Sequence, residues 1–139
     1  MIQTRFDPND DLIIIKIKLW GPLGDDIVSV ALDTAASDTL IVPDVLDALG
    51  YNPRHAEGLT SVTSVVGIEK GYRLRVDELS ALGYEKQDFI VNAHDLPPEC
   101  GIQGLLGLNF LRDFNYEIRS KDGVVNVSPV DCDSTGELN

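Results

Sequence analysis

Val30-Ala31-Leu32-Asp33-Thr34-Ala35-Ala36-Ser37-Asp38-Thr39-Leu40 is the stretch on which the reading of this chain turns. A carboxylate stands directly after an apolar, β-branched run and is followed by residues with little side-chain bulk. Asp33 would emerge from the end of a buried strand with room around it for backbone, water or a bound chain to approach. The plainer reading is an Asp-Thr turn in which Asp33 accepts hydrogen bonds from backbone N–H groups. These eleven residues alone leave both readings open.

Strand signals dominate on either side. Leu12–Trp20 (LIIIKIKLW) is β-branched and partly alternating, and Asp7-Pro8-Asn9-Asp10 before it reads as a turn. Gly21-Pro22-Leu23-Gly24-Asp25 breaks the chain before Ile27–Leu32, which predicts a hairpin with a longer loop. A third apolar run, Thr39–Val42, stops at Pro43. From Pro43 to Leu49, apolar Val45, Leu46 and Leu49 lie three and four apart, and Gly50 follows, which predicts one short amphipathic helix. Gly58–Val66 and Gly71–Leu79 read as a long hairpin around Gly67-Ile68-Glu69-Lys70, with Tyr72, Leu74 and Val76 alternating with Arg73, Arg75 and Asp77. Gln87–Asn92 is another strand. Gly104–Leu111 (GLLGLNFL) reads as a strand running into a short helix, and Asn115–Arg119 and Val124–Val127 flank an Asp-Gly hairpin signal. Many short strands with regular turns predict an all-β domain, closed or sandwiched. It spans residues 1–130, with a polar tail at 131–139 that reads as disordered.

The 139 residues suit a single domain, and 43% hydrophobic residues can fill its core. Acidic side chains outnumber basic ones 23 to 11, for a net charge of −12. Such a field repels phosphate backbones and anionic headgroups, so neither nucleic acid nor membrane is expected as a partner. The longest apolar run is interrupted by Lys16, too soon to span a bilayer. Cys100 and Cys132 form no CxxC pair; one disulfide between them is open, a reduced pair is the plainer reading, and without a leader the expectation is a cytoplasmic protein.

Leu32-Asp33-Thr34-Ala35-Ala36-Ser37 resembles the Asp-Thr/Ser-Gly-Ala/Ser signature of aspartic peptidases, and Ser37-Asp38-Thr39-Leu40 continues it as retroviral-type (retropepsin-like) proteases do. Gly104–Leu111 is similar to that family's hydrophobic-hydrophobic-Gly segment and short C-terminal helix. Gly58–Leu79 falls where the family has its flap. The resemblance runs from about Leu12 to Val127 with its elements in order. It implies a closed retropepsin-like acid protease barrel with a flap hairpin and one or two short helices. It also implies an aspartic endopeptidase without cofactor or metal, acting on peptide or protein substrates. Asp33 and Thr34 would be catalytic; Ala35, Ala36, Ser37, Val65, Val66 and Gly67 would bind substrate. The chain holds one such motif, because Asp133-Ser134-Thr135-Gly136 is out of frame for it. Two carboxylates sharing a proton would therefore require a homodimer.

Three positions depart from the pattern. Ala35 replaces the usual glycine; a positive φ there would cost about 1–2 kcal/mol, whereas a negative φ would cost little and the methyl would narrow the cleft. Ser37 stands where retroviral members often carry a second acid, and Leu108 where they often carry arginine, so an ion pair that braces their dimer is missing. The competing reading is a catalytically weak or inactive dimer of the same fold that binds extended peptides. A monomeric all-β module without a site ignores three ordered matches. A Cys100 nucleophile with His94 as base has Pro97-Pro98 between them and no oxyanion loop. His55, His94, Cys100 and Cys132 lack metal-ligand spacing.

Overall fold

Alternation in the sequence becomes an inside and an outside wherever strands close on one another. The computed structural model describes residues 1–64 and 67–130, and the side chains outside 61–70. Among the described residues, ten strands and two α-helices appear in this order: β1 (Ile2–Arg5), β2 (Ile14–Gly21), β3 (Gly24–Leu32), β4 (Leu40–Ile41), α1 (Pro43–Ala48), β5 (Gly58–Ser64), β6 (Gly67–Ala81), β7 (Tyr84–Ala93), β8 (Gly104–Leu106), α2 (Leu108–Leu111), β9 (Phe114–Arg119) and β10 (Val124–Pro129). Six strands hydrogen-bond in the order β2-β3-β8-β4-β7-β6, and β6 pairs back onto β2, closing a barrel. Beyond β6, β5 projects as the other half of a hairpin, and β1-β10-β9 form a separate three-stranded sheet.

The barrel fills from alternating positions. Ile15, Ile17 and Leu19 of β2 and Val28 and Val30 of β3 are buried, while Lys16 between them faces out. Leu74, Val76 and Leu79 of β6 and Phe89 and Val91 of β7 continue the same interior. Helix α1 lays Val45 and Leu46, with Leu49 just past its end, into this core as their spacing predicts. Phe110 of α2 is fully buried, edge-on to Phe89 at 5.9 Å and beside Phe114 at 5.3 Å. The Lys86 ammonium lies 5.0 Å from the Phe110 ring and pairs with Asp113, which caps this aromatic cluster with a cation.

Several expectations change. Strand β3 starts at Gly24, not Ile27. Gly21 pairs with Gly24, so Pro22-Leu23 form a tight turn where a longer loop was predicted. Gly24, at φ +135°, supplies the conformation a side chain would resist. Gly67-Ile68-Glu69-Lys70 are strand, paired with Ser61–Ser64, not a turn. Strand β6 then runs on to Ala81 and reverses through Leu82 (φ +56°) and Gly83 (φ +87°), the two positive-φ positions of a tight hairpin. Strand β1 has no signature in the sequence: its four mostly exposed residues carry no burial pattern and are held by pairing with β10. The tail at 131–139, with Cys132, lies outside the described residues.

Barrel closure is clasped by one phenol. Tyr51 is 5% exposed, and its hydroxyl donates to the Trp20 carbonyl of β2 (3.0 Å) while accepting from the Asp77 N–H of β6 (2.7 Å). Lys18, Leu19 and Trp20 pair with Ser80, Leu79 and Glu78 beside it. Burial raises the Tyr51 pKa above the ordinary phenol value, and the Asp77 charge adds to the rise, although the backbone hydrogen bond from Asp77 opposes it. The proton therefore contributes stability that is complete below the unfolded-state pKa and is lost as pH climbs through the folded-state value. Tyr51→Phe is expected to lower unfolding free energy by about 1–3 kcal/mol at neutral pH, because it removes both of these part-buried hydrogen bonds to the backbone. It should also flatten the alkaline fall in stability, read by urea titrations between neutral pH and pH above 10. Part of that fall will persist, since burial, with the Asp47 and Asp95 charges behind it, raises Tyr72 as well.

Candidate active site

Asp33 sits where a buried strand runs out. Ala31 and Leu32 of β3 pair in parallel with Leu105 and Leu106 of β8, and the Asp33 N–H donates to the Leu106 carbonyl (2.9 Å), extending the ladder by one bond. On the other side of β8, Leu40 and Ile41 of β4 pair antiparallel with Leu105 and Gly104. The Asp33–Asp38 loop therefore begins and ends against the same central strand. Gly104 is required by that crowding: a Cβ there would lie 2.3 Å from the Leu40 carbonyl oxygen.

Within the loop, Asp33 Oδ1 accepts from the Ala35 N–H (3.0 Å), and the Ala36 N–H donates to the Asp33 carbonyl (3.2 Å). The backbone-capping role open to an Asp-Thr turn is thus real, and it orients the carboxylate. Asp33 is half-buried, while Thr34, Ala35 and Ser37 are exposed. Positive φ among described non-glycine residues is confined to Leu82 and Asp88. Ala35 therefore holds a negative φ, and its methyl adds bulk at the site without backbone strain.

A buried polar hub holds the loop from beneath. Thr39 is fully buried; its N–H (2.9 Å) and hydroxyl (2.7 Å) both donate to Asn109 Oδ1, and its Oγ1 accepts from the Gly107 N–H (3.1 Å). Asn109 Nδ2 donates onward to the Ile90 carbonyl of β7 (2.9 Å). The N–H groups of Leu108 and Asn109 donate to the carbonyls of Ala36 (2.8 Å) and Ser37 (3.0 Å). Gly107 permits this approach, since a Cβ there would fall 2.4 Å from the Asp38 carbonyl oxygen. The sequence reading assigned no role to Thr39 or Asn109. Their signal was a lone amide in the apolar Gly104–Leu111 segment and a threonine opening an apolar run.

Asp33, Thr34, Ala35, Ala36 and Ser37 are brought together by this loop. Gly67 lies at the start of β6, paired with Ser64 across the hairpin, and Val65 and Val66 lie outside the described residues. The other candidates go elsewhere. His55 Nδ1 accepts from the Asn52 N–H (3.0 Å), His94 Nδ1 lies 2.7 Å from the Asp95 carbonyl, and Cys100 is exposed. Among the described residues no three His, Cys, Asp or Glu side chains cluster as a metal site, and no helix is long and apolar enough to cross a membrane.

The hub and the carboxylate separate by mutation. Asn109→Ala removes three hydrogen bonds at once and is expected to cost about 2–4 kcal/mol of stability. Asp33→Asn keeps an oxygen for the Ala35 N–H and is expected to stay within about 1 kcal/mol of the parent. Chemical denaturation of the two variants checks both values.

A family profile described as aspartyl protease matches residues 22–110, which include the whole Asp33–Asp38 loop, the hairpin and the Gly107–Asn109 brace. The chain is similar in structure to a retropepsin-like aspartic protease from Rickettsia conorii, with a TM-score of 0.65 over 89% of this chain and 86% of that one, at 17% sequence identity. No curated protein matches by sequence. The profile covers more than half of the chain, so the chain belongs to the aspartyl protease family, and its fold is retropepsin-like.

Proposed function

We propose that this protein is an aspartic endopeptidase whose active site is completed by a second copy of the chain. The observation that carries the reading is a half-buried Asp33, oriented by its own loop and standing at the mouth of a barrel that supplies one such loop per chain. Peptide hydrolysis by this chemistry needs two carboxylates close enough to share a proton. A two-fold axis between the loops provides them, with Asp33 opposite the partner subunit's Asp33.

In that dimer the ionised carboxylate takes a proton from a bound water as the water oxygen attacks the scissile carbonyl carbon. The protonated carboxylate polarises the carbonyl oxygen by donating to it. The resulting tetrahedral species collapses by breaking the C–N bond, and the departing amine takes a proton from the dyad. No bond forms between protein and substrate. The exposed Thr34 hydroxyl is suited to bond across the axis, and the Ala35 carbonyl to accept from the substrate main chain. The β5–β6 hairpin, in which Ser64 pairs with Gly67, is suited to cover the peptide and exclude water.

Incubation with a mixed peptide library, with and without pepstatin, tests the reading. Pepstatin-sensitive cleavage by the parent and loss of at least about a thousandfold in rate for Asp33→Asn are expected. A dimer that binds peptides and leaves them intact would assign the chain to the non-catalytic alternative. Sedimentation as a monomer at every accessible concentration would remove both.

A further inference from the structure

The catalytic loop carries a second carboxylate that the hydrolysis does not use. Asp38 is half-buried, five residues after Asp33, and its Oδ2 lies 3.9 Å from the Arg73 guanidinium and 3.4 Å from Asn92 Nδ2. These three residues come from three segments brought into one row: Gly58 of β5 pairs with Arg73 of β6, Arg73 with Asn92 of β7, and Asn92 with Leu40 of β4, two residues beyond Asp38. The row runs from the base of the projecting hairpin to the end of the Asp33–Asp38 loop. These are the two elements between which a peptide would lie if the chain cleaves one.

Two features separate this pair from a brace. Its side chains are 46% and 37% exposed, and the contact is at the outer limit of an ion pair, so it adds little to stability. Neighbouring Arg75 is already held by Glu57 at 2.8 Å, which leaves Arg73 as the cation that answers Asp38. Without it, the loop would present a second negative charge inside a protein already at −12, and a substrate groove there would draw Lys and Arg side chains.

We propose that Arg73 is a specificity-determining residue: by cancelling Asp38 it makes one subsite beside the catalytic loop accept uncharged side chains. The proposal rests on the peptidase reading. Charge selection of this kind is a difference between substrates and leaves the hydrolytic step itself alone. Cleavage profiles of the full chain on a peptide library should be compared for the parent, Arg73→Gln, Asp38→Asn and the double variant. Arg73→Gln is expected to raise kcat/KM for peptides with Lys or Arg at one subsite by about fivefold relative to neutral ones. Asp38→Asn should favour Asp or Glu at that same subsite by a similar factor, and the double variant should return to the parent's preference. Unchanged profiles, equal losses on all peptides, or shifts at two different subsites would each overturn the assignment while leaving the peptidase standing. A parent with no Asp33-dependent cleavage would overturn the peptidase reading and this assignment with it.

Discussion

Strand β8 is three residues long and has no free edge. It pairs in parallel with β3 on one side and antiparallel with β4 on the other, so Leu105 is bonded toward both Ala31 and Leu40. The loop carrying Asp33 must therefore leave and rejoin the sheet across a gap one strand wide. This constraint accounts for the glycines. Gly104 passes the Leu40 carbonyl and Gly107 passes the carbonyls of Ala36 and Asp38, each at a distance no side chain allows. It accounts also for Thr39 and Asn109, which satisfy the backbone groups that such close crossing takes out of water.

The loop is bonded at both ends and from below, and within it the Ala35 N–H orients the carboxylate. Small residues at 34–37 leave the top of the loop open, and the one methyl more than the family pattern, at Ala35, falls in a region of backbone space where it costs nothing. The site is thus rigid in its support and sparse at its surface. Such a division suits a place where another molecule must come within bonding distance.

Much of this was legible in the sequence where local chemistry and final structure agree. Lys121-Asp122-Gly123 announced a hairpin, and Gly123 does adopt a positive φ. Val45, Leu46 and Leu49 announced a helix face, and Asp33 announced a carboxylate at a strand end. What stayed hidden depends on partners distant in the chain. Leu82 turns a hairpin with a side chain that is 3% exposed, so its burial disguised its conformation. β1 is a strand only because β10 lies beside it. Thr39 and Asn109 meet across 70 positions, and neither looks unusual alone.

The place of β8 late in the chain and central in the sheet has a kinetic consequence. Strands β3 and β4 emerge early in synthesis, yet both keep bare edges until Gly104–Leu106 arrives and inserts between them. The nascent polypeptide must hold those edges apart without pairing them to each other or to another ribosome's product. Long-range closure of this sort is slow. Insertion of β8 is thus also the step that gives the Asp33–Asp38 loop its support, and a chain that has not yet made Gly104–Leu106 carries that loop without its anchor.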